Sequence, residues 1–574
     1  MWPYLRPEEL VEIAMNLWDE EENDPIDFSD ESDEESEVIE ENLYNSDSEQ
    51  SVDGDDPNET NWEEIKDDDH RFYVGTDNST IWINKTGAIP SKTREKKIIF
   101  AGPARHARNT PTELDAFSIF ITDNILDDIV RFTNIYIEKK RSIAEYHRER
   151  DSKYTTRAEI KALFGVLFLI SVKKGTHANV LELWSTDGTG MMTLRAAFSY
   201  KRFLFLMRSI RFGAKREKYD KLAAIRDFYT NFVENCRNNY YPGKFTTIGE
   251  MLHPFRGRCG FIQHMPQKPA KYGLKLYALC DSNTSYTWNF EMYCGKQTDG
   301  PYVVSNKPTD IVKRLIDRLK NTNRNLTMDN YYTSYPLAQY LLENGITILG
   351  TMKKNKVEIP AEFLPHKARK VGSSLFGFKD NITIVSHVPK KNKAVILLST
   401  MHDAREVDPE TGKPIILLDY NRTKGGVDTV DQKCASYSTQ RMTKRWSLAL
   451  FFRFLDIAGI NAEVIFKANN PEKGEKRKSF LTNLAFGLME DHMKERASIK
   501  TLPRDLQVFL TKYAPEVTPA ARNEKRVGPC HACGTHKNNK TTIFCNLCNK
   551  FVCKSHSEKL VSCITCIHPP MEED

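Results

Sequence analysis

From residue 112 to about 238 the apolar positions recur at helical spacing, and 123–136, 157–173 and 199–212 read as helices. The pattern then changes to strands. Residues 274–280 form a β-rich run that ends at Asp281, 282–285 make a turn, and 286–294 read as a second strand. Residues 308–319 read as a helix with Thr309 and Asp310 at its start. A short strand at 325–328 ends at Asp329. A helix at 335–344 follows, with Gly345 as its C-cap, and then a strand at 346–352. The order is β-β-(β)-α-β-α-β, with an acid at the end of two strands.

Residues 353–415 form a basic, β-leaning insertion with candidate strands at 374–378, 382–386 and 394–398. A helical region runs from about 425 to 510. It is broken near 469–478, where Lys473-Gly-Glu-Lys-Arg-Lys478 is either a nuclear-import signal or a solvated connector. The stretch 446–466 is long enough to span a bilayer, but Arg453 and Asp456 interrupt it, so it reads as a buried amphipathic helix. The longest apolar run, 162–172, is too short to span, and no membrane partner is expected. The N-terminus has no basic start followed by an apolar run, so no signal peptide is expected.

Charge divides the chain. Residues 1–70 carry 28 acidic residues against Arg6 and Lys66. Such a segment buries too little apolar surface to offset its chain entropy and reads as a disordered tail, with Ser32 and Ser46 as candidate phosphosites. The remainder carries a net charge of about +30, which suits a polyanion such as nucleic acid. The helix at 199–212 sets Lys201, Arg202, Arg208 and Arg211 beside Phe203, Phe205 and Phe212. It either lies on DNA phosphates or is a core helix with a charged face.

Seven of the twelve cysteines fall between Cys530 and Cys566, which argues for metal in a reducing compartment. With His556 they form four pairs: Cys530/Cys533, Cys545/Cys548, Cys553/His556 and Cys563/Cys566. Eight ligands make two closed tetrahedral sites, so two Zn²⁺ are expected. The short gap after Cys548 favours a cross-brace. Cys530, Cys533, Cys553 and His556 then share one ion, and Cys545, Cys548, Cys563 and Cys566 the other. Sequential pairing is the alternative.

Phosphodiester cleavage needs charge neutralised on the attacking and leaving oxygens, which two Mg²⁺ (or Mn²⁺) roughly 3.5–4 Å apart achieve when carboxylates hold them. Asp281 and Asp329 stand at strand ends, and Asp428 and Asp431 at i and i+3 share one face of a helix. A turn or capping role is the plainer reading of each aspartate taken alone.

Several stretches together resemble the piggyBac transposase family. They are Phe255-Arg-Gly-Arg-Cys259, Lys268-Pro-Ala-Lys-Tyr-Gly-Leu-Lys275, Leu279-Cys-Asp-Ser282, Leu326-Thr-Met-Asp-Asn-Tyr-Tyr-Thr-Ser334, Gly350-Thr-Met352 with Asn355-Lys356, Ser399-Thr-Met-His-Asp403 and Tyr420-Asn-Arg-Thr-Lys-Gly-Gly-Val-Asp-Thr-Val-Asp431. Arg445-Trp446 and Asn461 continue the pattern. The resemblance implies a cut-and-paste DDE/D transposase working through hairpin intermediates at TTAA. Asp281, Asp329 and Asp428 would be its triad and Asp431 a further essential acid. Arg256, Arg258, Lys268, Lys271, Lys275 and Lys356, with Lys353 and Lys354, would contact phosphates. Trp446, beside Lys444 and Arg445, would meet the hairpin or flanking bases. The partners implied are double-stranded DNA (terminal inverted repeats and TTAA target) and a second copy of the chain, in the nucleus.

The expected fold is multidomain α+β. An RNase H-like core (263–352 and 416–437) carries the insertion 353–415. A split helical DNA-binding and dimerisation domain (112–262 and 438–513) flanks it, with linkers at 71–111 and 514–527. By the same family resemblance, a C-terminal RING/PHD-like module at 528–568 would bind the terminal repeat. Two other classes stay open: a host gene captured from such an element that binds specific DNA without catalysis, and a RING- or PHD-type zinc adaptor. No tryptophan lies within 528–568, which counts against a PHD peptide site.

Overall fold

The computed structural model describes residues 50–51, 71–84, 100–143, 149–213, 219–296, 300–514, 527–533, 539–545 and 550–558. Apart from Gln50 and Ser51, the acidic segment with Ser32 and Ser46 lies outside the described residues. So do Cys548, Cys563, Cys566 and most of the 514–527 connection. The chain forms two units, 1–512 and 513–574.

In the first unit, β1 (Phe72–Val74) and β2 (Ile81–Ile83) precede a helical stretch that holds α1 (Glu113–Ser118), α2 (Asp123–Ile143), α3 (Arg157–Val172), α4 (Tyr200–Ser209) and α5 (Arg226–Asn238), with further short helices at Val180–Leu183 and Met192–Ala197. Thr112, Thr156 and Ser199 start α1, α3 and α4 as side-chain N-caps. Then come β3 (Phe245–Pro254), β4 (Tyr272–Asp281), β5 (Thr287–Met292), α6 (Pro308–Leu315), β6 (Asn325–Met328), α7 (Tyr335–Glu343) and β7 (Thr347–Thr351). Gly345 ends α7 with φ of 66°, the left-handed geometry a C-cap glycine supplies without strain. Strands β8 (Ser374–Lys379), β9 (Ile382–Lys390) and β10 (Lys393–Ser399) lead to α8 (Ile415–Thr423), α9 (Gly426–Ser436), α10 (Trp446–Asn469), α11 (Arg477–Ala497) and α12 (Arg504–Leu510).

The strands join one mixed sheet in the order β1-β2-β8-β9-β10-β7-β6-β3-β4-β5. Strand β6 runs parallel to both neighbours, β3 and β7, whereas β3, β4 and β5 form an antiparallel meander. On β3 and β4, Thr246 lies opposite Asp281, Thr247 opposite Cys280 and Gly249 opposite Ala278.

Three sequence expectations change here. The central strand β3 lies inside the stretch read as helical. Residues 71–84, read as linker, form strands that extend the sheet through Ile83 and Phe378. The insertion 353–415 is continuous with the same sheet, because β10 pairs antiparallel with β7. The 199–212 question resolves to a core helix: Arg202 is buried and its guanidinium donates to Glu159 at 2.6 Å.

The two helical stretches pack as one body. Helix α10 is buried along most of its length, as its apolar sequence requires. Helices α3 and α11 approach so closely that a Cβ on Gly165 would lie 2.6 Å from the Ala485 carbonyl oxygen. Asn461 ties α10 to the outer strand. Its Oδ1 accepts from the Thr287 amide and its Nδ2 donates to the Thr287 carbonyl, both at 2.9 Å. No described helix is long and apolar enough to cross a membrane. Replacing Asn461 with alanine strands two buried backbone groups of β5. We expect a loss of about 2–6 kcal/mol, from roughly 1–3 per orphaned group, in urea unfolding followed by circular dichroism.

Candidate nucleic-acid site and metal cluster

The corner between α8 and α9 rests on β3. Thr247 Oγ1 donates to the Thr423 carbonyl at 2.7 Å, and Thr327 Oγ1 donates to Thr423 Oγ1 at 2.8 Å. A Cβ on Gly426 would lie 2.6 Å from Thr247 Oγ1, so only glycine admits this approach. One residue on, Val427 packs over Gly249, whose added Cβ would lie 3.1 Å from Val427 Cβ. Asp428 follows in the first turn of α9.

Asp329 comes to the same face. Thr327 pairs with Thr247, and extending that parallel register by two residues sets Asp329 level with Gly249. The Asp329 side chain reaches solvent, yet protein crowds it. Desolvation pushes its carboxyl up to about 6, against the amide of Tyr331 donating to Oδ1 at 2.9 Å.

Asp281 does not join them. Cross-strand partners share a face. Thr247 and Cys280 therefore face α8 and α9, and Thr246 and Asp281 face the opposite side. There the Asp281 carboxylate is buried and saturated. Oδ2 accepts from the Gly243 amide at 2.6 Å, and Oδ1 from the Asn283 and Thr284 amides, each at 2.9 Å. The turn-cap reading of this residue is the one its contacts support, and the expectation that it meets Asp329 and Asp428 is corrected.

Asp428 and Asp431 are neutralised within the protein. Lys268, from the loop between β3 and β4, sets Nζ 2.9 Å from Asp428 Oδ1 and 3.9 Å from Asp431 Oδ2. Burial disfavours this ammonium, but the two carboxylates outweigh it and hold its pKa above the usual lysine value. Arg453, buried on α10, sets Nη2 2.9 Å from Asp431 Oδ1, while its Nε donates to His253 Nδ1 at 3.3 Å. Burial keeps His253 neutral. Among the described residues, no three of the four aspartates bring carboxylate oxygens within 4.8 Å of one another.

The expected DNA contacts divide in the same way. Lys275 turns to Glu250 at 2.6 Å, and Arg445 bonds the carbonyls of Met207, Arg208 and Ile210 at the end of α4. Lys268 is the clamp already described. Arg256, Arg258, Lys271 and Lys444 remain exposed, and Lys356 and Trp446 are half-buried, with the Trp446 ring edge-on to Phe261. A Cβ on Gly257 would lie 2.5 Å from the Lys444 carbonyl oxygen, so Arg256, Arg258 and Lys444 share one surface.

In the second unit Cys530, Cys533, Cys553 and His556 bring their ligand atoms within 4.8 Å of one another. The Cys533–Cys553 Sγ separation is 3.7 Å, and His556 Nδ1 lies 3.8, 3.6 and 3.2 Å from Cys530, Cys533 and Cys553. A tetrahedral ion with bonds of ~2.3 Å to sulfur has ligand–ligand edges of ~3.8 Å, so this donor set fits one. A hydrogen bond with Ser555 leads the effects that draw the Cys553 thiol down to about 7. This grouping is the cross-brace half expected from spacing. Of the second set, Cys545 is described and Cys548, Cys563 and Cys566 are not.

Sequence reasoning missed β3, Gly249, Lys268 as a clamp and Arg453 as a tether. For β3 a signal existed: Pro242-Gly243 punctuates the chain before the β-rich Phe245-Thr-Thr-Ile248. Nothing local marked the other three.

The comparisons agree with this architecture. A family profile described as Transposase IS4 matches residues 112–463. Human PiggyBac transposable element-derived protein 3 is 22% identical over 364 residues, 60% of this chain and 59% of that protein. Human PiggyBac transposable element-derived protein 5 is 20% identical over 389 residues, 64% of this chain and 73% of that protein. The chain thus spans about three fifths of the first of these relatives. Among solved structures, the piggyBac transposase synaptic complex with hairpin DNA is similar at 35% identity and a TM-score of 0.68. That match covers 81% of this chain and 100% of the other. The large mixed sheet with its helical body is therefore a transposase architecture. Within that class, the chain belongs to the piggyBac transposase family.

Two outcomes follow from the site's electrostatics and donor set. Asp431→Ala leaves the Arg453 guanidinium buried with Cys434 and Asp456 as the acidic groups still acting on it. We expect a loss of about 2–3 kcal/mol in denaturant unfolding, less than the roughly 3–5 of a wholly broken buried pair. Cys533→Ser should remove one metal ion from the purified full chain by elemental analysis. Chelation should abolish the amide-exchange protection of residues around Cys530 and Cys553.

Proposed function

We propose that this chain is a DNA-binding protein derived from a piggyBac transposase, which engages DNA ends without cutting them. One observation carries this reading: the carboxylate of Asp281 is buried, consumed by three backbone amides and turned to the sheet face opposite Asp428. Magnesium ions of the kind a transposase family implies need oxygens that converge. The acids of this chain do not fit such a pair, and no step is derived through one.

DNA binding is supported by the basic balance of residues 71–574, by the shared surface of Arg256, Arg258 and Lys444, and by likeness to a transposase solved with hairpin DNA. The strand order β5-β4-β3-β6-β7, with β3 antiparallel to β4 and parallel to β6, supports the RNase H-like plan for the core. Zinc is the ion proposed for the cysteine–histidine cluster, since thiolate-rich tetrahedral sites select it. A terminal-repeat target, a homodimer and a nuclear location belong to the same proposal. Lys476 and Lys478 remain exposed for import factors, although Lys473 and Arg477 bond backbone carbonyls.

A second reading is a working cut-and-paste transposase, excising and inserting at TTAA through hairpins. The observation that favours it is the shared face of Asp329 and Asp428. An excision reporter flanked by the element's own ends separates the two: no excision above a no-protein control is expected, while the ends bind in fluorescence anisotropy. Combining Arg256→Ala, Arg258→Ala and Lys444→Ala should weaken that binding and flatten its dependence on log salt by roughly 2–3, about 0.9 per lost phosphate contact.

A further inference from the structure

We infer that Gly249 and Lys268 make this site independent of divalent metal, with the lysine ammonium standing as its fixed cation beside a DNA phosphodiester. The inference rests on the non-cleaving reading and names the residues responsible for it. On the sheet face beneath α9 stand Thr247 and Gly249 from β3 and Thr327 from β6, with Asp329 just beyond. A third carboxylate able to meet both Asp329 and Asp428 must come from β3 at the level of Asp329. That position is Gly249, which offers no side chain. Its neighbour Glu250 points to the other face and holds Lys275 at 2.6 Å. Asp431 is held by Arg453 at 2.9 Å.

The counter-charge is already present. Asp428 and Asp431 face one ammonium and one guanidinium, so a phosphate arriving there meets little net repulsion. Mg²⁺ keeps several waters and is held by one or two carboxylates together with substrate phosphates, and here Asp428, the carboxylate that shares a face with Asp329, is already paired with an ammonium. Lys268 instead reaches Asp428 at 2.9 Å from a loop whose turn is closed by its own amide donating to Met265 at 3.0 Å. Space at Gly249 is limited but not closed. The three atoms nearest an added Cβ all belong to the Val427 side chain, at 3.1–3.4 Å, so Val427 need give by only a few tenths of an ångström to admit a Cβ there.

The test is a Mn²⁺ titration of the zinc-loaded full chain followed by electron paramagnetic resonance, beside DNA-end binding of the same zinc-loaded chain in buffer without Mg²⁺ and in Mg²⁺. For the wild type we expect no saturable Mn²⁺ site dependent on Asp428, and equal end binding in both buffers. Gly249→Asp should create a saturable Mn²⁺ site, lost again in Gly249→Asp/Asp428→Asn and at least about tenfold tighter than any residual wild-type binding, since affinity follows ligand charge count. Should Gly249→Asp not fold, Lys268→Met carries the test alone: Mg²⁺ should raise its thermal midpoint and leave that of the wild type unchanged. A wild-type Mn²⁺ site lost in Asp428→Asn, without excision, overturns this inference and leaves the non-cleaving reading standing. Folded variants that gain no metal response also overturn it. Excision by the wild type overturns the reading beneath it.

Discussion

Strand β3 alternates its side chains between two environments, and the site depends on which residues fall on which side. Thr247 and Gly249 face the α8–α9 corner, with Thr247 bonded to Thr423 and Gly249 covered by Val427. Glu250 faces the other way, toward Lys275. Because β4 pairs residue for residue with β3, the same alternation sends Cys280 to the helical face and Asp281 away from it. A shift of one residue would exchange the two sets. The glycines at 249 and 426 let helix and strand come close enough for this parity to matter.

Buried charge on that corner is balanced by position. Arg453 on α10, Lys268 from the β3–β4 loop and the two aspartates of α9 come from three separate parts of the chain. Arg453, Lys268 and Asp431 would be costly to leave unpaired, Asp428 stays largely exposed, and together they hold α9 between the sheet and the helical body. Asn461, two turns along α10 from Arg453, fixes the same helix to β5 through backbone groups. The acids of α9 are thus tied into the joint between sheet and helices, and an interaction that neutralises them also stabilises the fold.

Much of the architecture was legible in the chain. The strands read at 325–328, 374–378 and 394–398 and the helices read at 123–136 and 157–173 all form, with ends moved by at most one residue except that the first helix runs on to Ile143. Ligand spacing favoured the grouping of Cys530, Cys533, Cys553 and His556 over sequential pairing, and the structure brings those four together. Strand β3 escaped because it is short of aliphatic contrast and follows a run of helices. Residues 71–84 escaped because their apolar positions alternate over only three residues at a time. For the basic residues, composition gives the charge but not its direction. Lys275 and Arg445 turn inward, whereas Arg256 and Arg258 do not.

Local order along the chain determined most of the elements, where the acids stand relative to strand ends, and which pairs of ligands can bite one ion. Those are short-range matters, decided by rotation per residue and ligand spacing. Convergence belongs to the tertiary structure. An aspartate at the end of a strand reads the same whether it faces a helix or caps its own turn. Only the pairing of β3 with β4 separates Asp281 from Asp428, and only the packing of α9 on β3 brings Gly249 opposite that helix. Side-chain direction in a sheet is set by register with a neighbour that lies elsewhere in the sequence.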